Sequence, residues 1–322
     1  MSKSLRLFFI IIFLGLPLWW GINVFAQKLE DFFYTNVAAQ EEEVLNQNAA
    51  IEKQLESMKP SRKEETEALE VGARSAISVL IKKDGTEKVL FQKNIQEKLP
   101  IASITKLMTA LLVMRNYNFE ETVEISSEAA KVENEQGSGN LRVAEKFFVK
   151  DLLYFLLIES NNGAAFALAD MMDEKEFVDL MNITAAELGL EDTFFVNPTG
   201  LDPENQQDLT NYSTVEDVAK LAIYILKTEP SIWDIARFSE FDVYSADGIL
   251  FRKLKSTNEL LGTMPDLSGK TGWTLRAGGC LAIIYLAPDK QSYLVNIVLS
   301  SEDRFGDMEK MMDWLNGAYQ WQ

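Results

Sequence analysis

The sequence predicts an α/β fold in which strands from both ends of the folded region form one antiparallel sheet and a helical subdomain lies between them. Two strand patterns precede residue 95 and five follow residue 240, whereas the residues between them show helical spacing of apolar side chains. Helices are predicted at 103–116, 150–159, 163–172, 174–189, 213–228 and 305–319. We expect a cleft between the sheet and the helical part, where ligand sites commonly lie.

The first two strands form a predicted hairpin. Ile77, Val79 and Ile81 alternate along SAISVLIK, and the turn segment KDGTE connects this strand to KVLFQ. The later strands are short, rich in apolar residues and separated by turns: FDVYSA, ILFRKL, LSGKTGWT, GGCLAIIYLA and SYLVNIVLSS. The last helix is amphipathic, so we expect it to cover one face of the sheet.

The first 26 residues, 1–26, read as a membrane segment. Lys3 and Arg6 precede an apolar run from Leu7 to Ala26, and about 20 such residues cross a bilayer. The basic residues before the run favour an N-terminus in the cytoplasm. Val24-Phe25-Ala26 also satisfies the small-residue rule for signal-peptide cleavage, so an uncleaved anchor and a cleaved signal both stay open. In either case the rest of the chain is expected outside the cytoplasm.

Residues 27–72 have a different composition. Glu, Gln, Ala and Lys dominate, three glutamates stand at 41–43 and a proline at 60. This composition predicts an acidic, partly helical spacer. We expect it to hold the folded domain, residues 73–322, away from the membrane.

The composition excludes several classes of chemistry. The 322 residues include 31 basic and 49 acidic ones, a formal charge of −18, and nucleic acid is an unsuitable partner because binding it requires a basic surface. The chain has no histidine and one cysteine. A Ser-His-Asp triad, a zinc site of His and Cys, and an internal disulfide are therefore excluded. Cys280 lies in an apolar strand and is predicted to be a core residue.

Ser103-Ile104-Thr105-Lys106 opens the first predicted helix. Residues three apart share a helix face, so the serine hydroxyl can meet the lysine amine. Backbone N–H groups in a first turn also stabilise negative charge that develops there. Lysine acts as a base when burial or another cation lowers its pKa. The alternative is a capping serine beside a lysine that reaches solvent.

Two further motifs carry candidate site residues. Ser160-Asn161-Asn162 lies at a junction between two apolar helices, which can present side chains to a cleft, although helix caps are the alternative. Lys270-Thr271-Gly272 opens a strand, where Gly272 lets another backbone approach and an edge strand can pair with an extended peptide. Lys270 and Thr271 are candidates to hold a substrate carboxylate. A plain turn into a strand is the alternative.

The order of the three motifs is more specific than any one of them. S-x-x-K on a helix, S-x-N at a helix junction and K-T-G on a strand form the signature of serine acyl-transfer enzymes that react with penicillins. Over residues 75–320 the chain resembles the low-molecular-mass penicillin-binding proteins, the serine D-alanyl-D-alanine carboxypeptidases of peptidase family S11. The similar segments include ASITKLMTALL, VKDLLYFLLIESNNGAAFALAD, FVDLMNITAAELGLEDTFFVNPTGLD, NYSTVEDVAKLA and GKTGWTLRAGGCLA. The resemblance implies a β-lactamase/transpeptidase-like fold with a five-stranded sheet flanked by helices.

The resemblance also implies a reaction. Ser103 would attack the peptide bond between two terminal D-alanines of a peptidoglycan stem peptide, and Lys106 would take its proton. Ser160 would relay protons, and Asn162 would position Lys106 and the substrate amide. Water would then hydrolyse the acyl-enzyme, with no metal or cofactor, and β-lactam antibiotics would act as covalent inhibitors.

The third motif would bind the substrate. Lys270 would help to keep the catalytic lysine deprotonated and, with Thr271, would contact the substrate carboxylate next to Gly272. The backbone N–H groups of the nucleophile and of Trp273 would form the oxyanion hole. Arg276 follows closely and is a candidate for a second contact with the carboxylate.

The sequence departs from the family in two places. Gly163-Ala164 follows the second motif, where Asp-Ala is frequent in the family. Many members also carry a second β-rich domain and a C-terminal amphipathic anchor. The sequence ends soon after its last predicted helix, so we expect the N-terminal segment to provide the membrane attachment.

Other functions compete with carboxypeptidase activity. D,D-endopeptidase activity on wall cross-links would use the same residues. A class A β-lactamase uses a glutamate for deacylation, and no E-x-E-L-N-like segment lies between Asn162 and Lys270, while Glu187 stands in a helix that looks structural. A membrane-tethered scaffold without catalysis is disfavoured by the intact motifs, and a glycosidase by the lack of a distinctive carboxylate pair.

Overall fold

The computed structural model describes residues 28–29, 60–136, 141–205 and 207–321. The predicted membrane segment 1–26 and most of the predicted spacer lie outside these ranges. Within them, no helix is long and apolar enough to cross a membrane. Arg62–Trp321 form one unit by their mutual contacts, and apart from Ser61 at the start of the first strand the strands and helices below belong to it.

Strands from both ends of this unit make the central sheet. In chain order the strands are β1 (Ser61–Arg62), β2 (Ser75–Ile81), β3 (Glu87–Lys93), β4 (Leu99–Pro100), β5 (Thr122–Glu124), β6 (Lys146–Phe148), β7 (Tyr212–Ser213), β8 (Glu240–Tyr244), β9 (Leu250–Lys255), β10 (Ser268–Thr274), β11 (Gly278–Leu286), β12 (Tyr293–Ser301) and β13 (Tyr319–Gln320). Five of them form a sheet in the order β10-β11-β12-β2-β3, and each neighbouring pair is antiparallel. The predicted α/β fold with a sheet built from both chain ends is confirmed.

Helices fill the middle of the chain and its end. A 3₁₀ turn, Ala102–Thr105, leads into α1 (Lys106–Asn116), and then follow α2 (Ser127–Gln136), α3 (Val149–Ile158), α4 (Asn162–Asp170), α5 (Glu174–Glu187), α6 (Val215–Thr228), α7 (Ser231–Ala236) and α8 (Arg304–Ala318). The predicted helices lie within a few residues of six of these. The pattern missed α2 because SEAAKVENEQ has only a sparse apolar stripe, and it missed α7 because six residues are too short to show a period.

The sheet separates two apolar cores. On one face it packs against the helical middle, where α1 is buried along its length from residue 106 to residue 113. A helix that is apolar nearly all round belongs inside a protein. On the other face it packs against α8, through methionines at 308, 311 and 312. The nucleophile motif therefore stands at the start of a deeply buried helix.

The predicted strands FDVYSA and ILFRKL form a hairpin of their own, β8 with β9, and do not join the central sheet. This hairpin packs on α3, where the rings of Tyr154 and Phe241 stack with centroids 3.9 Å apart. The segment that follows the hairpin meets the end of α3, since the backbone N–H of Thr257 donates to the carbonyl of Ile158. The hairpin thus supports the helix junction that carries Ser160.

The contacts of the folded domain begin before residue 73, the predicted boundary. The backbone N–H of Lys63 donates to the carbonyl of Ala318, and the indole of Trp314 donates to the carbonyl of Glu67. Val71 is buried in the core beneath α8. The segment from residue 62 to residue 72 therefore packs as part of the domain. Its mainly polar composition concealed this, because few of its side chains are apolar.

Candidate active site

The 3₁₀ turn aligns Ser103 with Lys106. Side chains three apart eclipse each other in a 3₁₀ helix, and the Lys106 ammonium donates to the Ser103 hydroxyl oxygen at 2.9 Å. The N-cap of the turn is Ile101 and that of α1 is Thr105, and neither helix start has a side-chain cap. Capping is therefore the wrong interpretation of Ser103, whose hydroxyl faces the amine.

Lys106 is fully buried and surrounded by acceptors. Besides Ser103 Oγ, its Nζ donates to Asn162 Oδ1 at 2.7 Å and to the carbonyl oxygen of Thr199 at 2.6 Å. A buried ammonium is tolerated only when its charge and its N–H groups are satisfied. The alternative of a lysine that reaches solvent is therefore wrong.

The three acceptors orient the amine once it is neutral. The Asn162 Oδ1 and the Thr199 carbonyl can only accept hydrogen bonds, whereas the Ser103 hydroxyl can also donate. A neutral amine has two N–H groups and one lone pair. If its two N–H groups serve the two obligate acceptors, its lone pair faces the Ser103 hydroxyl. This is the geometry that a general base for Ser103 requires.

The three residues of the second motif make different contacts. Asn161 caps α4, because its side-chain oxygen accepts from the backbone N–H of Ala164 at 2.7 Å. Ser160 is held in the left-handed region, with φ 62°, and its hydroxyl accepts from Lys270 Nζ at 2.6 Å. Asn162 begins α4 and reaches Lys106. Capping thus explains Asn161, whereas the side chains on either side of it face the site.

Lys270 is a second buried amine in the site. Its Nζ donates to Ser160 Oγ and, at 2.7 Å, to the carbonyl oxygen of Thr271. Burial, and then the positive charges of Lys106 and Arg304, lower the pKa of Lys270 well below its usual value. Repulsion between the two buried amines therefore disfavours the state in which both are protonated. The lowered pKa is that of Lys270 itself, so the expectation that Lys270 helps to keep Lys106 deprotonated stays a prediction.

The strand β10 lies directly against the nucleophile turn. A Cβ on Gly272 would come 3.0 Å from the backbone nitrogen of Ser103 and 3.1 Å from the carbonyl oxygen of Ile101. The predicted close approach at Gly272 is thus an approach to the turn that carries the nucleophile. Thr271 forms a hydroxyl–hydroxyl hydrogen bond of 2.5 Å with Thr257. Trp273, the next residue after Gly272, is 64% exposed.

Sequence reasoning missed the loop that supplies the Thr199 carbonyl. The side-chain oxygen of Asn197 accepts from the backbone N–H groups of Thr199 and Gly200 and from the Thr199 hydroxyl. Asn211 ties the same loop to the nucleophile turn by donating to Thr105 Oγ1 and to the carbonyl of Asn197. The turn residues in NPTG were the available signal. A backbone carbonyl, however, leaves no side-chain signature in a sequence.

The site also contains an arginine that the motifs did not indicate. Arg304, the first residue of α8, donates to the carbonyl of Gly272 at 3.3 Å, and burial lowers its pKa. Arg276, the candidate named from the sequence, instead donates to the carbonyls of Asn205 and Asp208. Of the two arginines, Arg304 is the one that contacts β10 next to Lys270.

Comparison with known proteins identifies the family. A sequence profile of the D-alanyl-D-alanine carboxypeptidases, peptidase S11, matches residues 62–303. The chain belongs to this family. The matched range starts where the contacts of the folded domain start, and it contains all three motifs.

Relatives within the S11 family include both named activities. The chain is 33% identical to the D-alanyl-D-alanine carboxypeptidase DacF of Bacillus subtilis over 78% of its own length and 64% of that protein. It is 30% identical to a D-alanyl-D-alanine endopeptidase of Pseudomonas aeruginosa over 74% of its length and 76% of that protein. The chain thus spans less than two thirds of DacF, and only 58% of the carboxypeptidase DacC of Escherichia coli.

Solved structures share the fold of this S11 chain. Penicillin-binding protein D2 of Listeria monocytogenes, in an ampicillin-bound form, is 29% identical with a TM-score of 0.64, and the match covers 77% of this chain and 99% of that one. A DD-transpeptidase of Streptomyces K15 is 26% identical with a TM-score of 0.68 over 77% and 98%. The β-lactamase/transpeptidase-like fold that the resemblance implied is confirmed.

Proposed function

We propose that the protein is a serine D-alanyl-D-alanine carboxypeptidase that removes the terminal D-alanine from peptidoglycan stem peptides. The observation that carries the proposal is the pair of hydroxyl–amine contacts in one site, Ser103 with Lys106 and Ser160 with Lys270. Family S11 supplies the reaction class. The buried lysines supply the base that other serine hydrolases take from histidine, which this chain lacks.

The first step is acylation. The Ser103 oxygen attacks the carbonyl carbon of the bond between the two D-alanines, and the hydroxyl proton moves to the Lys106 lone pair. The backbone N–H groups of Ser103 and Trp273 stabilise the resulting oxyanion. The close approach of Gly272 to the Ser103 backbone nitrogen supports this assignment, because Trp273 is the next residue along the strand.

The second step releases the terminal D-alanine. The C–N bond breaks, and the leaving nitrogen takes the proton of the Ser160 hydroxyl. The proton that Lys106 took from Ser103 is passed back to Ser160, so that Lys106 is a neutral amine again. A water molecule then attacks the ester carbonyl and gives its proton to Lys106. The Ser103 ester is cleaved and the hydroxyl is restored. Asn162 holds Lys106 in place through both steps, and no metal or cofactor takes part.

Charge holds the carboxylate end of the substrate. Lys270 and Thr271 stand on the edge strand β10, and Arg304 reaches the same strand from α8. A peptide that pairs with the edge strand places its terminal carboxylate next to these groups. We therefore assign Arg304, and not Arg276, as the arginine that adds to the positive field at this end.

The place of action follows from the same proposal. Peptidoglycan lies outside the cytoplasm, so the domain acts on the outer face of the plasma membrane or in the periplasm. The N-terminal segment 1–26 provides export, either as an uncleaved anchor or as a cleaved signal. Penicillins acylate Ser103 as covalent inhibitors because they present a strained amide to the same nucleophile.

Endopeptidase activity on wall cross-links is the second candidate. Two relatives that are named D-alanyl-D-alanine endopeptidases are 30% and 29% identical to this chain. The same catalytic residues serve both reactions. Hydrolysis of a cross-linked dimer, compared with that of an uncross-linked pentapeptide, separates the two activities.

Labelling with a fluorescent penicillin tests the proposal. We expect the full-length protein to form a stable covalent band that is lost in Ser103→Ala and kept in Ser127→Ala, a control at an exposed serine of α2. The wild-type enzyme that has not been exposed to penicillin should release D-alanine from a pentapeptide, and labelling should block this release. A band that disappears within seconds would favour a β-lactamase, and no band from folded protein would exclude catalysis at Ser103.

A further inference from the structure

A cavity of about 510 Å³ opens beside the catalytic strand. The loop 201–204 forms one side, and the end of β10 with the turn that follows it, residues 273–276, forms the other. The cavity lies immediately beyond the nucleophile, since Gly272 packs on the Ser103 turn and Trp273 is the next residue. Ligands that reach Ser103 along β10 therefore extend into it.

The direction of the substrate decides which part of it enters. The carboxylate end lies at Lys270 and Thr271 in the proposed reaction, and an extended peptide that pairs with β10 runs along the strand from there. Its upstream residues then pass Gly272 and reach 273–276. The residue immediately before the two D-alanines is thus the one whose side chain meets the cavity.

The walls of the cavity offer an apolar surface. Trp273 is 64% exposed and Leu275 is 83% exposed, and Leu201 and Pro203 face them from the loop. An exposed apolar patch with polar groups at its rim is typical of a ligand-binding groove. These apolar side chains are suited to the methylene chain of a long side chain.

The polar groups of the cavity carry more negative than positive charge. The Asp202 carboxylate is held in place by the Thr274 hydroxyl and by the backbone N–H of Arg276, each at 3.0 Å. The Arg276 guanidinium is itself engaged by two loop carbonyls. The carboxylate of Glu204, by contrast, has no hydrogen bond or ion pair with another described residue. A ligand cation is the group that would pair with it.

We propose that this cavity binds the side chain of the diamino residue that precedes the two D-alanines, with its methylenes on Trp273 and Leu275 and its free ammonium group at Glu204. The inference rests on the proposed function and names the preferred donor, a stem peptide whose side-chain amine is not yet cross-linked. Blocking that amine removes the positive charge and adds bulk. Glu204 is therefore a residue that determines specificity and takes no part in bond breaking.

The expected preference is modest because the ion pair is open to water. Exposed ion pairs contribute up to about 1 kcal/mol, which corresponds to roughly a fivefold change in affinity. The charged part of the preference should weaken as the salt concentration rises.

Equilibrium binding to a non-hydrolysing variant tests the inference without catalysis. The ligands are two peptides, acetyl-L-lysyl-D-alanyl-D-alanine with a free ε-amine and the same peptide with that amine acetylated. Binding to full-length Ser103→Ala is measured by calorimetry. We expect the free-amine peptide to bind about fivefold more tightly. The added change Glu204→Gln should abolish the difference, and Glu204→Lys should reverse it.

Two further variants separate the contributions. Trp273→Ala should weaken both peptides, because the methylenes are common to them. Glu309→Gln, at an exposed position of α8, should leave the ratio of affinities unchanged. Equal affinities for the two peptides, or no saturable binding of either, would overturn the inference.

The experiments distinguish a failure of the amine-binding cavity from a failure of the proposed carboxypeptidase reaction. If the wild-type enzyme releases no D-alanine while the Ser103→Ala variant still prefers the free amine through Glu204, the binding site stands and the proposed reaction fails. If D-alanine is released from both peptides and Glu204→Gln changes nothing, the reaction stands and the site is wrong.

Discussion

The ion pair between Glu159 and Arg252 should control the position of Ser160, which follows Glu159 in the chain. The Arg252 guanidinium donates to both oxygens of the Glu159 carboxylate, and the Nη2–Oε2 distance is 2.6 Å. The two side chains are only 11% and 25% exposed. The backbone N–H of Lys255 adds a third donor to the carboxylate. The hairpin β8–β9 is thereby fastened to the turn that holds Ser160 in its left-handed conformation.

The magnitude follows from the burial of the pair. Removing one partner of a buried pair costs about 3–5 kcal/mol, whereas exposed pairs contribute at most about 1 kcal/mol. The partial exposure here places the loss for Glu159→Gln or Arg252→Gln at about 2–3 kcal/mol in the free energy of unfolding. The two residues stabilise the fold through the same contact. The double variant should therefore lose less unfolding free energy than the two single variants lose together, by roughly 1–2 kcal/mol.

Loss of the Glu159–Arg252 pair should slow catalysis as well as lower the free energy of unfolding. A left-handed serine costs about 1 kcal/mol and persists only where the surroundings impose it. Once Glu159 is released, Ser160 can leave Lys270, and we expect the rate of acylation by penicillin to fall roughly tenfold. Arg252→Lys keeps the positive charge but cannot donate to both carboxylate oxygens as the guanidinium does. Compared with Arg252→Gln, it should therefore restore only part of the free energy of unfolding and part of the acylation rate.

Urea unfolding and stopped-flow acylation measure the two effects. The neighbouring pair of Lys253 and Glu240 on the same hairpin is the control, since its side chains are 52% and 48% exposed. Lys253→Gln should change the free energy of unfolding by less than about 1 kcal/mol and leave acylation unchanged. The reasoning is refuted if Glu159→Gln unfolds at the same urea concentration as wild type, or if the control slows acylation equally.

Three further expectations concern the strand and its buried groups. Gly272→Ala should slow acylation by at least tenfold in the same stopped-flow assay, because its Cβ would stand 3.0 Å from the Ser103 backbone nitrogen; an unchanged rate would show that the turn can move away. The folded state lowers the pKa of Lys270, whereas the unfolded value is about 10.4. The unfolded chain thus holds the proton more tightly, so the free energy of unfolding should rise with pH through the window between the two values and decline as the pH falls. Lys270→Met should flatten this profile in urea titrations between pH 7 and 10, and parallel profiles would contradict the assignment. Burial raises the pKa of Cys280 to about 12, so the only cysteine should resist a thiol reagent at pH 8 and react at once in denaturant; rapid labelling of folded protein would contradict its burial.

The amino-acid sequence by itself determined the class of chemistry and the plan of the fold. The absence of histidine excluded the usual base, and the order of three motifs named a lysine in its place. Alternation at Ile77, Val79 and Ile81 identified a strand because one face of a sheet repeats every two residues. These signals are local, so a single chain is enough to show them. The polar helix α2 was missed because its local pattern is weak.

Only the tertiary structure decided how the motifs meet. Lys270 contacts Ser160 across 110 positions of sequence, and Lys106 takes a backbone carbonyl from Thr199 across 93. Sequence spacing carries no information about such contacts, since they depend on how the sheet and the helical subdomain pack. The contact of Arg304 with β10 also depends on tertiary packing, because Arg304 begins a helix that is distant in sequence from the strand. Arg276 follows β10 directly in the chain, but its guanidinium donates to loop carbonyls instead. Burial, which lowers the pKa of Lys270, is likewise a property of the packed protein, because desolvation exists only once the chain has closed around the amine.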